Sequence, residues 1–490
     1  MNYSIIFRLL SAIQFILGLA FAICVGVAYI YRDAGNETNA VAGFTYCMGA
    51  ALLLGGLFLY LGRGKDTTFF KKEATAVIGL GWIAAILVGS LPYWIILDSC
   101  NLADAIFEST SGLTTTGATV LDNLESHPHS LLFWRSLSQW IGGMGVVVFF
   151  VAILGFLGAG GKILFTRESS GTAEELDFPR IQTGVNRLLL LYLILSSLCT
   201  TVYYLGGMNF FEALNHTFTT IATGGFSTRS SSIAGFGSPL LEWSAIVFMA
   251  LGGTSFLWML LVLNKNWHSV RLNSEVKAYY AILLLAAGLV TYVLISHEGY
   301  SSWHDAIRSS LFQVTSLMTT TGYSTRDFGS WNLMAQVLLL GLMAVGGCSG
   351  STACGLKVGR ILVGIKSALR MVGRSYSDHV IRPIYMNGRV LDNESRERVV
   401  TYILLNGGLL FFCMPILAIF EPTISFEGCF SAVLACIFNI GPAFREFGPT
   451  ENYAFLRDFS KFFLSALMIM GRLELFAILA LFTPAFWRRF

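Results

Sequence analysis

The sequence predicts an all-α polytopic membrane protein. Two N-terminal transmembrane helices precede four tandem repeats of span, re-entrant helix, filter segment and span, set around a pseudo-fourfold pore. Three observations predict this. The 490 residues are 54% hydrophobic and only 12% charged, with mean hydropathy +0.65, whereas soluble domains average about 25% charged residues. Apolar runs near the bilayer-spanning length recur along the chain without the period-two alternation of strands. Four short polar segments, each centred on a glycine, interrupt those runs at Leu113-Thr-Thr-Thr-Gly-Ala-Thr119, Ala222-Thr-Gly-Gly-Phe-Ser-Thr228, Thr319-Thr-Thr-Gly-Tyr-Ser-Thr325 and Phe438-Asn-Ile-Gly-Pro-Ala443.

The first apolar run follows Arg8 and contains Ala20-Phe-Ala22, which looks like a signal-peptide cleavage site. It continues to Ile30, longer than a signal peptide's apolar region, and is expected to be a retained span. With a second span at about 41–61 it fills residues 1–70. Repeat 1 (71–165) has spans at about 74–97 and 131–157, and repeat 2 (166–265) at about 188–206 and 240–263. Repeat 3 (266–375) has them at about 278–296 and 331–345, and repeat 4 (376–490) at about 399–420 and 459–483. Between each pair lies a short segment (102–113, 210–222, 303–319, 425–438), too short to cross and return as two helices, hence re-entrant.

Aligning Gly117, Gly225, Gly322 and Gly441 places Thr115, Thr223, Thr320 and Asn439 two residues before each glycine. The spacings are 108, 97 and 119 residues (225 − 117, 322 − 225, 441 − 322). A cation entering a pore exchanges water for other oxygens, and backbone carbonyls are the usual replacement. Glycine reaches the backbone angles this requires without steric cost, and the threonine hydroxyls are expected to add further oxygens. The candidate filter is Thr115, Thr116, Gly117, Thr223, Gly224, Gly225, Thr320, Thr321, Gly322, Asn439, Ile440 and Gly441. Glycines in membrane helices also serve close helix packing. Four copies in one context favour the pore. Asp104, Glu212, Asp305 and Glu427 open the re-entrant helices and are expected to cap them and to charge the outer mouth.

The last span of repeat 3 breaks at Ala344-Val-Gly-Gly-Cys-Ser-Gly-Ser-Thr-Ala-Cys-Gly355, and it is the only broken span expected. Polar backbone at membrane depth must line a cavity or be buried in protein. A movable gate below the filter is the expectation, formed by Gly346, Gly347, Ser349, Gly350, Ser351 and Gly355 together with Arg472 of the last span. The competing reading for Arg472 is a structural pair with Glu474 or another helix. Trp243, Trp258 and Trp487-Arg-Arg489 are read as interfacial anchors. Segments 63–72, 162–187, 265–277, 357–398 and 488–489, with Arg8, hold 23 of the chain's 32 lysines and arginines. Ten spans threaded from an inside N-terminus put all of these on the cytoplasmic side, with both termini.

The composition and motifs exclude other classes. Nine cysteines without a Cys-x-x-Cys pair argue against zinc and disulfide frameworks. Gly158-Ala-Gly-Gly-Lys-Ile163 fails the Walker and dinucleotide spacings, and His216 reads as a packing residue. Neither an enzyme nor a nucleic-acid binder is indicated.

The four filters, Gln139-Trp-Ile-Gly-Gly-Met-Gly145, the glycine-rich break and Asn439-Ile-Gly-Pro442 resemble the Trk/Ktr/HKT superfamily of potassium transporters. The two extra N-terminal spans are similar to its bacterial Trk branch. The resemblance implies potassium uptake across the bacterial inner membrane, with potassium as the transported ligand and no organic cofactor. It implies a lipid-embedded homodimer with one pore per subunit, and a cytoplasmic nucleotide-binding subunit of the TrkA type that opens the gate. Glycine rather than serine at position 117 is similar to the potassium-permeable pattern. A potassium symporter coupled to protons or sodium is the alternative mechanism. Arg445, beside the fourth filter, is a departure expected to bear on conductance.

Overall fold

The computed structural model describes residues 1–34, 37–64, 71–157, 181–300, 302–376 and 383–487. The 158–163 glycine run, most of the basic 162–187 segment and Arg488-Arg489 lie outside them. The described chain is helical apart from one two-stranded hairpin, Tyr385–Met386 with Arg389–Val390. Asn387 and Gly388 turn it, both at positive φ (49° and 79°), as a tight hairpin turn requires.

Two long helices, Tyr3–Ile30 and Glu37–Leu61, pack on each other and on the helix Lys71–Gly89. Phe21, Phe44 and Trp134 fill the joint to repeat 1. Each repeat then follows one plan. An outer helix (Lys71–Gly89 continued by Leu91–Ile96, Ile181–Leu205, Ser274–His297, Asn393–Phe420) leads into a pore helix (Leu102–Leu113, Phe210–Ile221, Trp303–Met318, Phe426–Ile437). An inner helix follows, starting at His129, Pro239, Leu333 and Asp458. Six described helices are long and apolar enough to cross a bilayer, and a bent pair makes a seventh candidate. Leu53, Leu285, Phe411 and Phe412 stand more than two-thirds exposed on such helices, which suits a lipid surface. The pore helices are the opposite. Polar residues Glu108, Thr110, His216, Thr219, Gln313 and Thr315 on them are fully buried.

The inner helices correct one expectation. Repeat 1 has a continuous helix, His129–Leu157, but the inner helix is interrupted in all three later repeats. In repeat 2, Pro239–Gly252 and Phe256–Leu263 meet at 94°. Repeat 3 breaks between Val345 and Val358, and repeat 4 between Arg472 and Phe476, where Glu474 and Leu475 take positive φ. The repeat 2 break falls at Gly252-Gly-Thr-Ser255, a short polar stretch inside an apolar run. Short polar breaks of this kind survive in a span only when protein satisfies the freed backbone.

Candidate functional site

The pore helices begin and end alike. Asn101, Asn209, Ser302 and Ser425 are the N-caps, accepting from the amides of Asp104, Glu212, Asp305 and Gly428. The acids stand within the first turn rather than at the N-cap position, and from there Asp104 completes a capping box by accepting from the Asn101 amide (3.3 Å). A short Asn or Ser side chain one position outside the helix reaches those amides better. The acids favour the helix start as charges and are engaged in ion pairs: Asp104 with Lys461, Glu212 with Arg229, Asp305 with Arg308 and Glu427 with Arg445. The third pore helix has 16 residues against 12 in the others, which sets its acid further from its glycine.

At the C-terminal ends, the residue before each filter glycine donates its amide to the carbonyl five positions back. The pairs are Thr116 to Ser111 (2.9 Å), Gly224 to Thr219 (2.8 Å), Thr321 to Ser316 (2.9 Å) and Ile440 to Ala435 (3.0 Å). This is the six-to-one bond of a Schellman ending, which needs one left-handed residue, usually glycine. Here that residue is Thr115 (φ 56°), Thr223 (52°), Thr320 (56°) or Asn439 (53°). β-Branched residues in this region are genuine outliers, of the kind that cluster where structure serves function.

The glycines that follow, at φ 84°, 79°, 82° and 94°, interlock. A Cβ on Gly117 would lie 2.2 Å from the Gly224 carbonyl oxygen, and one on Gly225 would lie 1.9 Å from that of Thr321. On Gly322 it would meet Ile440 at 2.1 Å, and on Gly441 it would meet Thr116 at 2.6 Å. Each glycine thus abuts the residue preceding the next repeat's glycine, and the fourth returns to the first. The four segments form a closed ring. All twelve filter candidates lie in it.

The side chains around the ring are turned to other tasks. Thr320 Oγ1 accepts from the Cys354 amide (2.9 Å), and Thr223 Oγ1 lies 2.7 Å from the Ala222 carbonyl oxygen. Asn439 Nδ2 donates to Thr116 Oγ1 and to the Met468 carbonyl, both at 2.9 Å. Thr115 Oγ1 is buried and without a hydrogen-bond partner among the described residues. Gln139 grips the second segment from both sides: its Nε2 donates to the Gly224 carbonyl (2.7 Å) and its Oε1 accepts from the Phe226 amide (3.1 Å). Tyr453 Oη donates to the Gly441 carbonyl (2.9 Å). His216 packs fully buried, bonded to the Glu212 carbonyl and to Ser227 Oγ.

The repeat 3 break is a compact loop with a closed neck. The Leu356 amide bonds to the Ala344 carbonyl and the Val358 amide to that of Gly347. Gly346 and Gly355, both at positive φ, approach so closely that a Cβ on either would strike the other strand within 3 Å. Gly350 turns the tip (φ 72°), where its carbonyl accepts from the Phe256 amide, and Ser351 Oγ donates back to the Cys348 carbonyl (2.6 Å). The loop sits in the bend of repeat 2. There the Gly253 carbonyl accepts from the Cys348 amide (2.8 Å), and Thr352 Oγ1 lies 3.0 Å from the Gly252 carbonyl oxygen. Two charges hold it. Glu275 Oε1, buried, accepts from the Ser349 amide (2.6 Å) and the Gly359 amide (2.9 Å). Arg472 donates to the Thr352 carbonyl (3.1 Å), the Cys354 sulfur (3.0 Å) and the Gly142 carbonyl of repeat 1 (2.7 Å). Glu474 pairs with Arg360 at 2.6 Å rather than with Arg472. Glu275 carried no signal in the sequence, being one acid at the start of a span.

Arg445, four residues past Gly441, is exposed and paired with Glu427. Glu125, in the segment between the first filter and the inner helix of repeat 1, accepts from the Ser230 amide (2.8 Å) and hydroxyl (2.6 Å) of repeat 2. Partial burial pushes its carboxyl up, but the two Ser230 bonds outweigh that and hold it below the usual carboxylate range. Trp258 Nε1 donates to the Val270 carbonyl and Trp487 Nε1 to that of Leu481, and Trp243 packs near His304.

The family model of the TrkH cation transport protein matches residues 43–489. The chain is 36% identical over 466 residues to the Trk system potassium uptake protein TrkH of Escherichia coli K12, covering 94% of each. It is 31% identical to TrkG of the same strain over 439 residues, 89% of each. The crystal structure of the potassium transporter TrkH from Vibrio parahaemolyticus superposes with a TM-score of 0.87 at 31% identity, covering all of both chains.

Proposed function

The chain belongs to the TrkH family of cation transport proteins, and from that premise we propose that it takes up potassium through the ring at Gly117, Gly225, Gly322 and Gly441. Membership makes it a membrane transporter rather than an enzyme, with potassium as cargo. The observation that carries the reading is the closed ring, in which four left-handed residues and four glycines bring equivalent backbone from every repeat to one place. The pore helices end there, and their negative C-terminal dipoles favour a cation. Movement is channel-like and inward, driven by membrane potential worth about 2.3 kcal/mol per charge per 100 mV.

The loop 346–355 is the gate, and Arg472 and Glu275 hold it shut. In this proposal the chain lies in a bacterial inner membrane with both termini cytoplasmic, as the distribution of lysine and arginine favours. It works as a homodimer with one pore per subunit, and a cytoplasmic nucleotide-binding partner of the TrkA type releases the loop. The test is potassium flux in liposomes containing the purified chain. A reversal potential that follows the potassium gradient alone is expected. A reversal potential that shifts with a proton or sodium gradient would replace the channel by a coupled carrier, and absence of potassium flux would overturn the reading.

A further inference from the structure

Nine residues before the filter glycine, the first three pore helices carry Glu108, His216 and Gln313 (117 − 108, 225 − 216, 322 − 313). All three are fully buried, and each reaches across to the strand that leaves its own filter. Glu108 accepts from Thr119 Oγ1 and the Val120 amide, each at 3.1 Å. His216 Nε2 meets Ser227 Oγ at 3.0 Å. Its Nδ1 donates to the Glu212 carbonyl, so Nε2 of the neutral ring accepts the serine proton. Gln313 Nε2 lies 3.5 Å from Thr325 Oγ1 and 3.4 Å from the Arg326 carbonyl oxygen. In repeat 4 the position is Ala432, and the neighbouring Ser431 Oγ accepts from the Phe444 amide at 3.1 Å.

The first of these ties is different in kind. Arg135, 1% exposed, donates Nε to Glu108 at 2.7 Å, a second nitrogen to Thr119 Oγ1 at 3.1 Å and the third to the Ser227 carbonyl of repeat 2 at 3.2 Å. Its guanidinium also lies over the Phe226 ring, 3.9 Å from the centroid. One guanidinium, neutralised by one carboxylate, thus fixes the exits of filters 1 and 2 relative to each other. Arginine's planar fork suits three divergent acceptors, whereas a lysine ammonium does not reach them together.

We propose that Glu108, His216 and Gln313 are positioning residues that set ion discrimination in the ring, with Glu108–Arg135 the dominant brace. None of them touches the ion. They act by fixing the strand that leaves each filter, and a filter that relaxes admits a differently sized cation. The inference rests on the potassium-pore reading.

The test measures potassium-to-sodium permeability ratios from reversal potentials of the full chain in liposomes, alongside protein yield and monodispersity. The variants are Gln313→Leu, His216→Asn, Arg135→Lys and the paired Glu108→Gln with Arg135→Gln. Gln313→Leu is neutral and close in volume, and keeps the test open should the charged variants fail to fold. Gln313→Leu is expected to lower the ratio severalfold, and the paired variant by about tenfold or more, with Arg135→Lys between wild type and the pair. Unchanged ratios in well-folded variants beside a potassium-selective wild type would overturn this inference alone. A wild type that carries no potassium would overturn the pore reading and this inference with it.

Discussion

Gly441, in the last repeat, lies against the carbonyl of Thr116, in the first, so closely that a Cβ on the glycine would stand 2.6 Å from that oxygen. The same relation holds at the other three joints, and substitution at any one of the four glycines meets backbone rather than a movable side chain.

Gly322→Ser and Gly441→Ala are therefore expected to abolish or de-select potassium flux while leaving membrane insertion intact. The positive φ alone costs an L-residue about 1–2 kcal/mol, and the clash adds to it. Flux and reversal potential in liposomes, read beside expression level, separate a filter defect from misfolding. Wild-type conduction by either variant would remove the ring from the permeation path.

Arg472→Ala is expected to raise basal flux in the absence of any partner subunit. It deletes three bonds that tie the loop at Thr352 and Cys354 to the repeat 1 carbonyl of Gly142. Hydrogen bonds from a charged group are worth about 1.5–3 kcal/mol each, enough to move a gate by about one to two decades if even one is specific to the closed state. Single-channel open probability is the measurement, and an unchanged value would leave Arg472 a purely structural residue.

Glu275 gives a graded version of the same test. One oxygen, Oε1, accepts from both Ser349 and Gly359, so Glu275→Gln keeps an acceptor there and loses only the charge. Glu275→Ala loses both bonds. Open probability is expected to rise in the order wild type, Gln, Ala. A Gln variant more active than Ala would contradict the latch.

Thr115 and Thr320 share a left-handed backbone but differ in what the hydroxyl does. Glycine relieves about 1–2 kcal/mol of strain at either place, against about 0.5–1 kcal/mol of added chain entropy. Thr115→Gly is therefore expected to be neutral or slightly stabilising. Thr320→Gly also orphans the buried Cys354 amide, costing about 1–3 kcal/mol, and should unfold at the lower temperature. Thermal unfolding in detergent compares them, and the reverse order would count against the bond.

The four-repeat plan was legible because glycine and the residue two before it recur in one register, and no other residue type meets the ring's geometry so cheaply. Helix limits followed from apolar run length. The breaks at Gly253 and Arg472 were not legible as breaks, because each is short and apolar residues continue beyond it. Their stability comes from partners distant in sequence, the loop at 346–355 above all. The same reason hid Glu275 and Arg135, and the bonds of Gln139 to Gly224 and Phe226, although the motif that Gln139 opens was visible. A single polar residue in a span signals nothing until the fold shows which backbone groups it faces. The acids of the pore helices were visible, but Asn101, Asn209, Ser302 and Ser425 hold the N-cap positions, and Asp104 caps from inside the first turn.

Closure of the ring also bears on how the protein is made. Gly441 follows Gly117 by 324 residues (441 − 117), so the first filter waits for nearly the whole polypeptide to leave the ribosome before its last neighbour arrives. An unfinished chain holds three of the four segments and no closed ring. On the pore reading proposed above, synthesis from the N-terminus delays any leak in the membrane until the repeat that carries Arg472, which bonds the 346–355 loop, is being inserted too.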